Sequence, residues 1–231
     1  MSAEAARGPG TLEVRDLGRL AYSEAHSLQQ ELVEERLSGG APDRLLFVEH
    51  DAVVTVGRSP RSESRAELEP LLVGLDCPVV EVERGGEATW HGPGQLVAYS
   101  LRFLPEGHRD LHAYLRELEE VVIRTLAAFG VEGRREQGLT GVWIGGLKVA
   151  SIGVAVRRWV TWHGVALNLT NDLAGFRRFH PCGLDAAVMT RLADHVAAGT
   201  LERADALGAF EAAYREIFSY APSPGAGPDL G

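Results

Sequence analysis

Two apolar, β-branched segments, Lys148 to Val156 and Trp159 to Leu169, are separated only by Arg157 and Arg158. A crossover between parallel strands needs a dozen or more residues, so this pair closes as an antiparallel hairpin. Further runs rich in Val, Ile, Thr and aromatics lie at Arg44 to His50, Val53 to Arg58, Val79 to Glu83, Gln95 to Phe103 and Val142 to Ile144, and read as strands. Helical spacing of Tyr22, Ala25, Leu28 and Leu32 ahead of Gly39-Gly40 predicts a helix from Ala21 to Leu37. A second helix carries Leu111, Leu115, Leu118, Val122 and Phe129 between an Asp110 N-cap and Gly130, and a third runs from Leu201 to Tyr220. The expected fold is α/β (α+β), a mixed, substantially antiparallel sheet with flanking helices.

Met1 to Gly10 and Ala221 to Gly231 hold too little apolar surface to order themselves, so both ends are expected to be mobile around one domain at 11–220. The formal charge of −9 opposes general nucleic-acid binding through a basic surface and adhesion to anionic lipid. No apolar run approaches the ~18 residues of a membrane helix, and the first ten residues lack a signal peptide's basic start and apolar centre. The expectation is a cytoplasmic protein with no membrane or nucleic-acid partner. Cys77 and Cys182 are too few for a disulfide framework and are expected to be thiols.

Glycine is the compositional outlier, 27 of 231 residues, and much of it interrupts three apolar or His-containing segments. The first, Arg84 to Gln95, has Gly85, Gly86, Gly92 and Gly94, which let backbone approach a ligand or simply make a glycine-rich turn. Its spacing is neither a phosphate loop nor a dinucleotide fingerprint. The second, Gly141 to Gly153, contains Lys148, the single lysine among 23 basic residues. It is either a solvated strand-end lysine or an amine whose titration an arginine cannot replace. The third, Trp162 to Asn168, leads to His180-Pro181-Cys182-Gly183, a turn-like setting for a thiol that is incidental or accessible. A lysine ammonium beside such a thiol lowers its pKa and supplies a general acid and base. His50, His91, His163 and His180 flank turns or strand ends, but no short His/Cys pair has metal-ligand spacing, so no metal is expected.

Together the three segments resemble the lipoyl(octanoyl) transferase family. RGGEATWHGPGQL, GVW followed by LKVASIG, VTWHGVALN with NDL, and HPCGL occur in the family's order and spacing. LLFVEHDAVVTVGR is similar to its N-terminal strand pair, and the likeness covers roughly Tyr22 to Leu192. The resemblance implies a fold shared with biotin protein ligases and lipoate ligases, and a Cys/Lys dyad at Cys182 and Lys148. It also implies an acyl pocket. One wall runs through Arg84, Gly85, Gly86, Glu87, Ala88, Thr89, Trp90 and His91. The other combines Ser151, Ile152 and Gly153 with Gly164, Val165 and Ala166. The chain departs from the family where Thr-Ser-Leu is usual after the cysteine loop and Thr190-Arg191-Leu192 stands here.

The implied reaction is two acyl transfers through a Cys182 thioester, with Lys148 handling protons and no cofactor. The implied partners are octanoyl-acyl carrier protein, lipoyl domains of 2-oxoacid dehydrogenase complexes and the glycine cleavage H protein. An ATP-dependent lipoate or biotin ligase of the same fold, or a non-catalytic carrier-binding module, are the competing readings. Since the implied protein partners are acidic, the doublets Arg157-Arg158 and Arg177-Arg178 are candidate docking points, or merely solvated turns.

Overall fold

A computed structural model of the chain describes residues 11–58, 73–177 and 188–221. In chain order these form β1 (Leu12–Leu20), α1 (Tyr22–Ser38), β2 (Asp43–His50), β3 (Val53–Val56), β4 (Val79–Glu81) and β5 (Ala88–His91). There follow β6 (Gln95–Leu101), α2 (Leu111–Ala127), β7 (Val142–Ile144), β8 (Leu147–Arg157), β9 (Val160–Asn168) and α3 (Arg203–Ile217). The expected hairpin is β8–β9, paired antiparallel from Ala150↔Leu167 to Arg157↔Val160. Its turn lies one residue later than the arginine doublet, at Arg158 and Trp159, both with positive φ (49° and 66°). Two positive φ values match the twist of a two-residue hairpin turn. Trp159 is kept there by its carbonyl, which accepts from Leu104 N at 2.7 Å, and by the Arg109 guanidinium 5.2 Å from its ring.

The main sheet has six strands in the order β1-β2-β6-β9-β8-β7, and a smaller one has the order β4-β3-β5. Only β1–β2 and β3–β4 pair parallel, so the sheets are mixed and mostly antiparallel. Period-two alternation divides each central strand between two cores. Leu45 and Phe47 of β2 and Leu96 and Ala98 of β6 join the core that includes α2 and α3. Leu46, Val48, Val97 and Tyr99 face the core closed by α1.

Helix α2 starts where the sequence predicts, with the Asp110 carboxylate accepting from His112 N and Ala113 N, and Gly130 follows at φ 72°. Its buried face is rotated from the expected stripe. Tyr114, Leu118, Val121, Val122 and Leu126 are buried, whereas Leu111 is 37% exposed in the first turn. Two strands were not anticipated. β1 carries Glu13, Arg15, Asp16 and Arg19, charges that suit an edge strand and mask its alternation. β5 lies inside the glycine-rich Arg84 to Gln95 segment. The termini expected to be mobile, Met1 to Gly10 and Ala221 to Gly231, fall outside the described residues except for Ala221.

Candidate active site

A cleft opens between the β8–β9 hairpin, the loop after β4, and strands β5 and β6. Eleven of the sequence-predicted residues line it: Arg84, Gly85, Gly86, Thr89, His91, Ser151, Ile152, Gly153, Gly164, Val165 and Ala166. The two walls meet because β8 pairs with β9 in the register Ser151↔Ala166, Ile152↔Val165, Gly153↔Gly164. Glycine is required where the walls press together. A Cβ on Gly164 would lie 2.3 Å from the Ala98 carbonyl oxygen, and one on Gly153 would lie 3.0 Å from both Arg84 Cδ and the Gly85 carbonyl oxygen.

Of the expected wall 84–91, Glu87, Ala88 and Trp90 do not line the cleft. The reason is the pleat of β5. Thr89 and His91 project to the cleft, while Ala88 and Trp90 pack with Val54, Phe176 and Met189 in a satellite core. Sequence reasoning missed Tyr22, Val97, Tyr99 and His163 as lining residues. Alternation along Gln95 to Leu101 could have found Val97 and Tyr99 together; Tyr22 and His163 carried no pocket signal of their own.

A one-way chain of hydrogen bonds runs behind the cleft. Arg84 Nη2 donates to Thr55 Oγ1 (2.9 Å), whose hydroxyl donates to His91 Nε2 (3.3 Å). His91 Nδ1 donates to Gln95 Oε1 (2.8 Å), Gln95 Nε2 to Asn168 Oδ1 (2.9 Å), and Asn168 Nδ2 to the Thr190 carbonyl (2.9 Å). Thr190 N then donates to the Lys148 carbonyl at 2.9 Å. Burial, the neighbouring His50 and the Arg84 cation push His91 down to about 3, so its imidazole is neutral, as the chain requires. Burial likewise lowers His50, whose Nδ1 donates to the Leu20 carbonyl while Nε2 accepts from Tyr99 OH at 2.7 Å. Burial, then the Arg84 cation and the neighbouring His26 ring, pushes His163 down to about 3.

Lys148 is 2% exposed, with its ammonium 5.1 Å from the Trp143 ring centroid. This excludes the solvated strand-end reading. Counting along β8 puts Lys148 and Ser151 on opposite faces, but the pairs Val142↔Ala150 and Trp143↔Lys148 leave Val149 as an extra residue. Such a bulge turns two successive side chains to one side, here Val149 and Ala150 into the same core, and resets the alternation. Lys148 is therefore on the same face of β8 as Ser151, although it is not itself one of the residues lining the cleft. Gly141 makes room for it: a Cβ there would lie 2.7 Å from Lys148 Cε. Cys182, with His180, lies outside the described residues; the described chain resumes at 188, and Met189 pairs with Lys148. Of the arginine doublets, Arg157 is ion-paired with Glu34 of α1, Arg158 is exposed in the turn, and Arg178 is outside the described residues.

No helix among the described residues is long and apolar enough to cross a membrane. The profile of the lipoyl protein ligase A/B catalytic domain matches residues 21–214. An octanoyltransferase of Syntrophotalea carbinolica is 50% identical over 181 residues, covering 78% of this chain and 82% of that protein. One from Thermosynechococcus vestitus is 44% identical over 215 residues, 93% of each. The fold is that of a bi-partite lipoate protein ligase from Thermoplasma acidophilum (TM-score 0.71, 17% identity, 92% of this chain and 85% of that one). It also follows a biotin protein ligase from Aquifex aeolicus (TM-score 0.52, 14% identity, 90% and 70%). A buried lysine on the strand face that also bears the glycine-walled cleft thus occurs in a sequence about half identical to octanoyltransferases along most of its length, and the chain belongs to the octanoyltransferases of the lipoyl protein ligase A/B catalytic-domain family.

Proposed function

We propose that this octanoyltransferase works through a thioester on Cys182, with octanoyl-acyl carrier protein as donor and a lysine of a lipoyl domain, including the glycine cleavage H protein, as acceptor. Lys148 as the free amine takes the Cys182 thiol proton. The thiolate then attacks the octanoyl carbonyl, the new C–S bond forms, the carrier's C–S bond breaks, and the departing pantetheine sulfur takes the proton back from the Lys148 ammonium. In the second half the acceptor amine attacks the enzyme thioester, the C–N bond forms and Cys182 leaves as thiolate, its charge balanced by the proton released from the amine to Lys148. An amide replaces a thioester, so the step is downhill without ATP.

The observation that carries this reading is Lys148, the only lysine of the chain, buried and turned by the Val149 bulge to the strand face that bears the cleft. A strand-end lysine kept for solubility would gain nothing from burial. The apolar stretch formed by Val97, Ile152, Val165 and Ala166 suits an aliphatic chain, and the Arg84-to-Thr190 hydrogen-bond chain links that stretch to the backbone of Lys148.

The test is intact mass after mixing the chain with octanoyl-acyl carrier protein without ATP. One octanoyl group should appear on the wild type and none on Cys182→Ala, and adding a lipoyl domain should discharge it onto the domain. An adduct that persists on Cys182→Ala, or forms only with ATP, overturns the reading.

A further inference from the structure

Three side chains from three separate elements converge at the rim of the cleft without a part in the acyl transfer. His26 comes from α1, Glu83 from the loop after β4, and His163 from β9. Glu83 Oε2 lies 3.0 Å from His26 Nε2 and 3.7 Å from His163 Nε2, and the three donor atoms lie within 4.8 Å of one another. The first distance is a hydrogen bond; the second is too long for one. His163 is 2% exposed, and its Nε2 is buried with no hydrogen-bond partner. An imidazole nitrogen that is itself buried and aimed at a carboxylate it does not reach leaves its lone pair or proton unused.

From this geometry we propose that His26, Glu83 and His163 bind one divalent transition-metal ion, zinc by their donor chemistry. Two imidazoles and one carboxylate form a common protein donor set for zinc, with the fourth position left to water or a ligand. Tetrahedral bonds of ~2.0–2.1 Å separate ligand atoms by roughly 3.3 Å, a spacing bracketed by the two measured contacts to Glu83. Closing the third edge falls to His26, which is 21% exposed on the surface of α1 and has room to turn, while His163 is fixed by its stack on Trp162 at 4.5 Å. The ion satisfies the orphan Nε2 of His163. It also ties α1 to β9 through the residue preceding Arg84, so it braces the loop that forms one wall of the cleft. Calcium and magnesium are disfavoured because both prefer oxygen ligands. The proposal is independent of the acyl-transfer chemistry and stands or falls on metal binding alone.

The experiment uses the full chain stripped of metal, titrated with zinc against a chromophoric chelator and, separately, with cobalt(II) followed by its d–d absorption. One ion per chain is expected, with a tetrahedral cobalt spectrum and a melting temperature that rises with zinc. In His26→Ala and in Glu83→Gln, both at half-buried positions that leave the core intact, affinity should fall at least about tenfold and the zinc-dependent melting shift should disappear. Cys182→Ala should bind as the wild type does. Absence of binding would show the triad to be a hydrogen-bonded cluster only and would overturn the proposal. So would equal affinity in the wild type and both variants, or a sulfur-to-cobalt band that Cys182→Ala removes.

Discussion

Lowering the pH from about 7.5 to about 5 should destabilise the folded chain through His91, by an amount the structure sets. The imidazole is enclosed by Thr55, Gln95 and the walls of the cleft, and burial, His50 and Arg84 hold it at about 3 against 6.5 in an exposed histidine. The sign follows from which state takes the proton. Below 6.5 the unfolded chain binds it and the folded chain does not, so stability falls from that point until the folded value is reached. At 1.36 kcal/mol per pH unit, His91 alone removes about 2 kcal/mol by about pH 5, because the folded imidazole is still neutral there. For a domain of this size that is roughly 4–8 °C in melting temperature. The comparison is urea or thermal unfolding of the wild type and His91→Gln at both pH values. The variant is less stable throughout, since it loses hydrogen bonds, but it should show about 2 kcal/mol less pH dependence. His50 and His163 are present in both proteins, so of their effects only the coupling to His91 enters the difference. Parallel losses in the two proteins would refute the reasoning, because His91 would then have to accept its proton in the folded state.

Lys148→Arg should cut turnover by about 10² to 10⁴, because a guanidinium cannot shuttle protons near neutral pH; near-normal steady-state rates would show that charge alone is needed. Gly85→Val is a clean probe of the cleft wall, since a Cβ at Gly85 meets nothing nearer than 3.9 Å, whereas Gly86 sits at φ 86° and would be strained by any side chain. Two methylenes are worth about 1.6 kcal/mol, so a wild-type preference of about 15-fold for octanoyl over hexanoyl donors should shrink in Gly85→Val; equal loss with both donors would remove Gly85 from the acyl wall. Asp110→Ala deletes the cap bonds to His112 N and Ala113 N and should lower the melting temperature by about 2–4 °C, and an unchanged value would mean the cap adds nothing.

Seven of the nine strands among the described residues and the three helices were legible in the sequence because period and turn residues are local signals, while the cleft residues came from the resemblance to the lipoyl(octanoyl) transferase family. What was not legible depended on neighbours. The exposure of Leu111 follows from where α2 docks, and the inward turn of Ala88 and Trp90 follows from β5 pairing with β3, neither of which a window of sequence contains. The face of Lys148 is the sharpest case. Straight counting from Ser151 assigns it to the wrong side, and only the pairing of β7 with β8 reveals the extra residue Val149. The His26, Glu83 and His163 cluster was invisible for the same reason: ligand spacing in a sequence finds sites built within one loop or helix, and this one is assembled across three elements.

The hydrogen bond between Gln95 and Asn168 joins positions 73 residues apart, and it closes only when β6 and β9 have paired. Loop-closure entropy has to be overcome before that pairing returns any stability, so this part of the molecule belongs to the slow, non-local end of folding. During synthesis the cleft cannot exist until β9 has left the ribosome, and its first lining residue, Tyr22, has by then waited through most of the chain. A nascent or partly unfolded molecule accordingly has no acyl-binding surface to offer, and the ability to bind substrate reports that folding has finished.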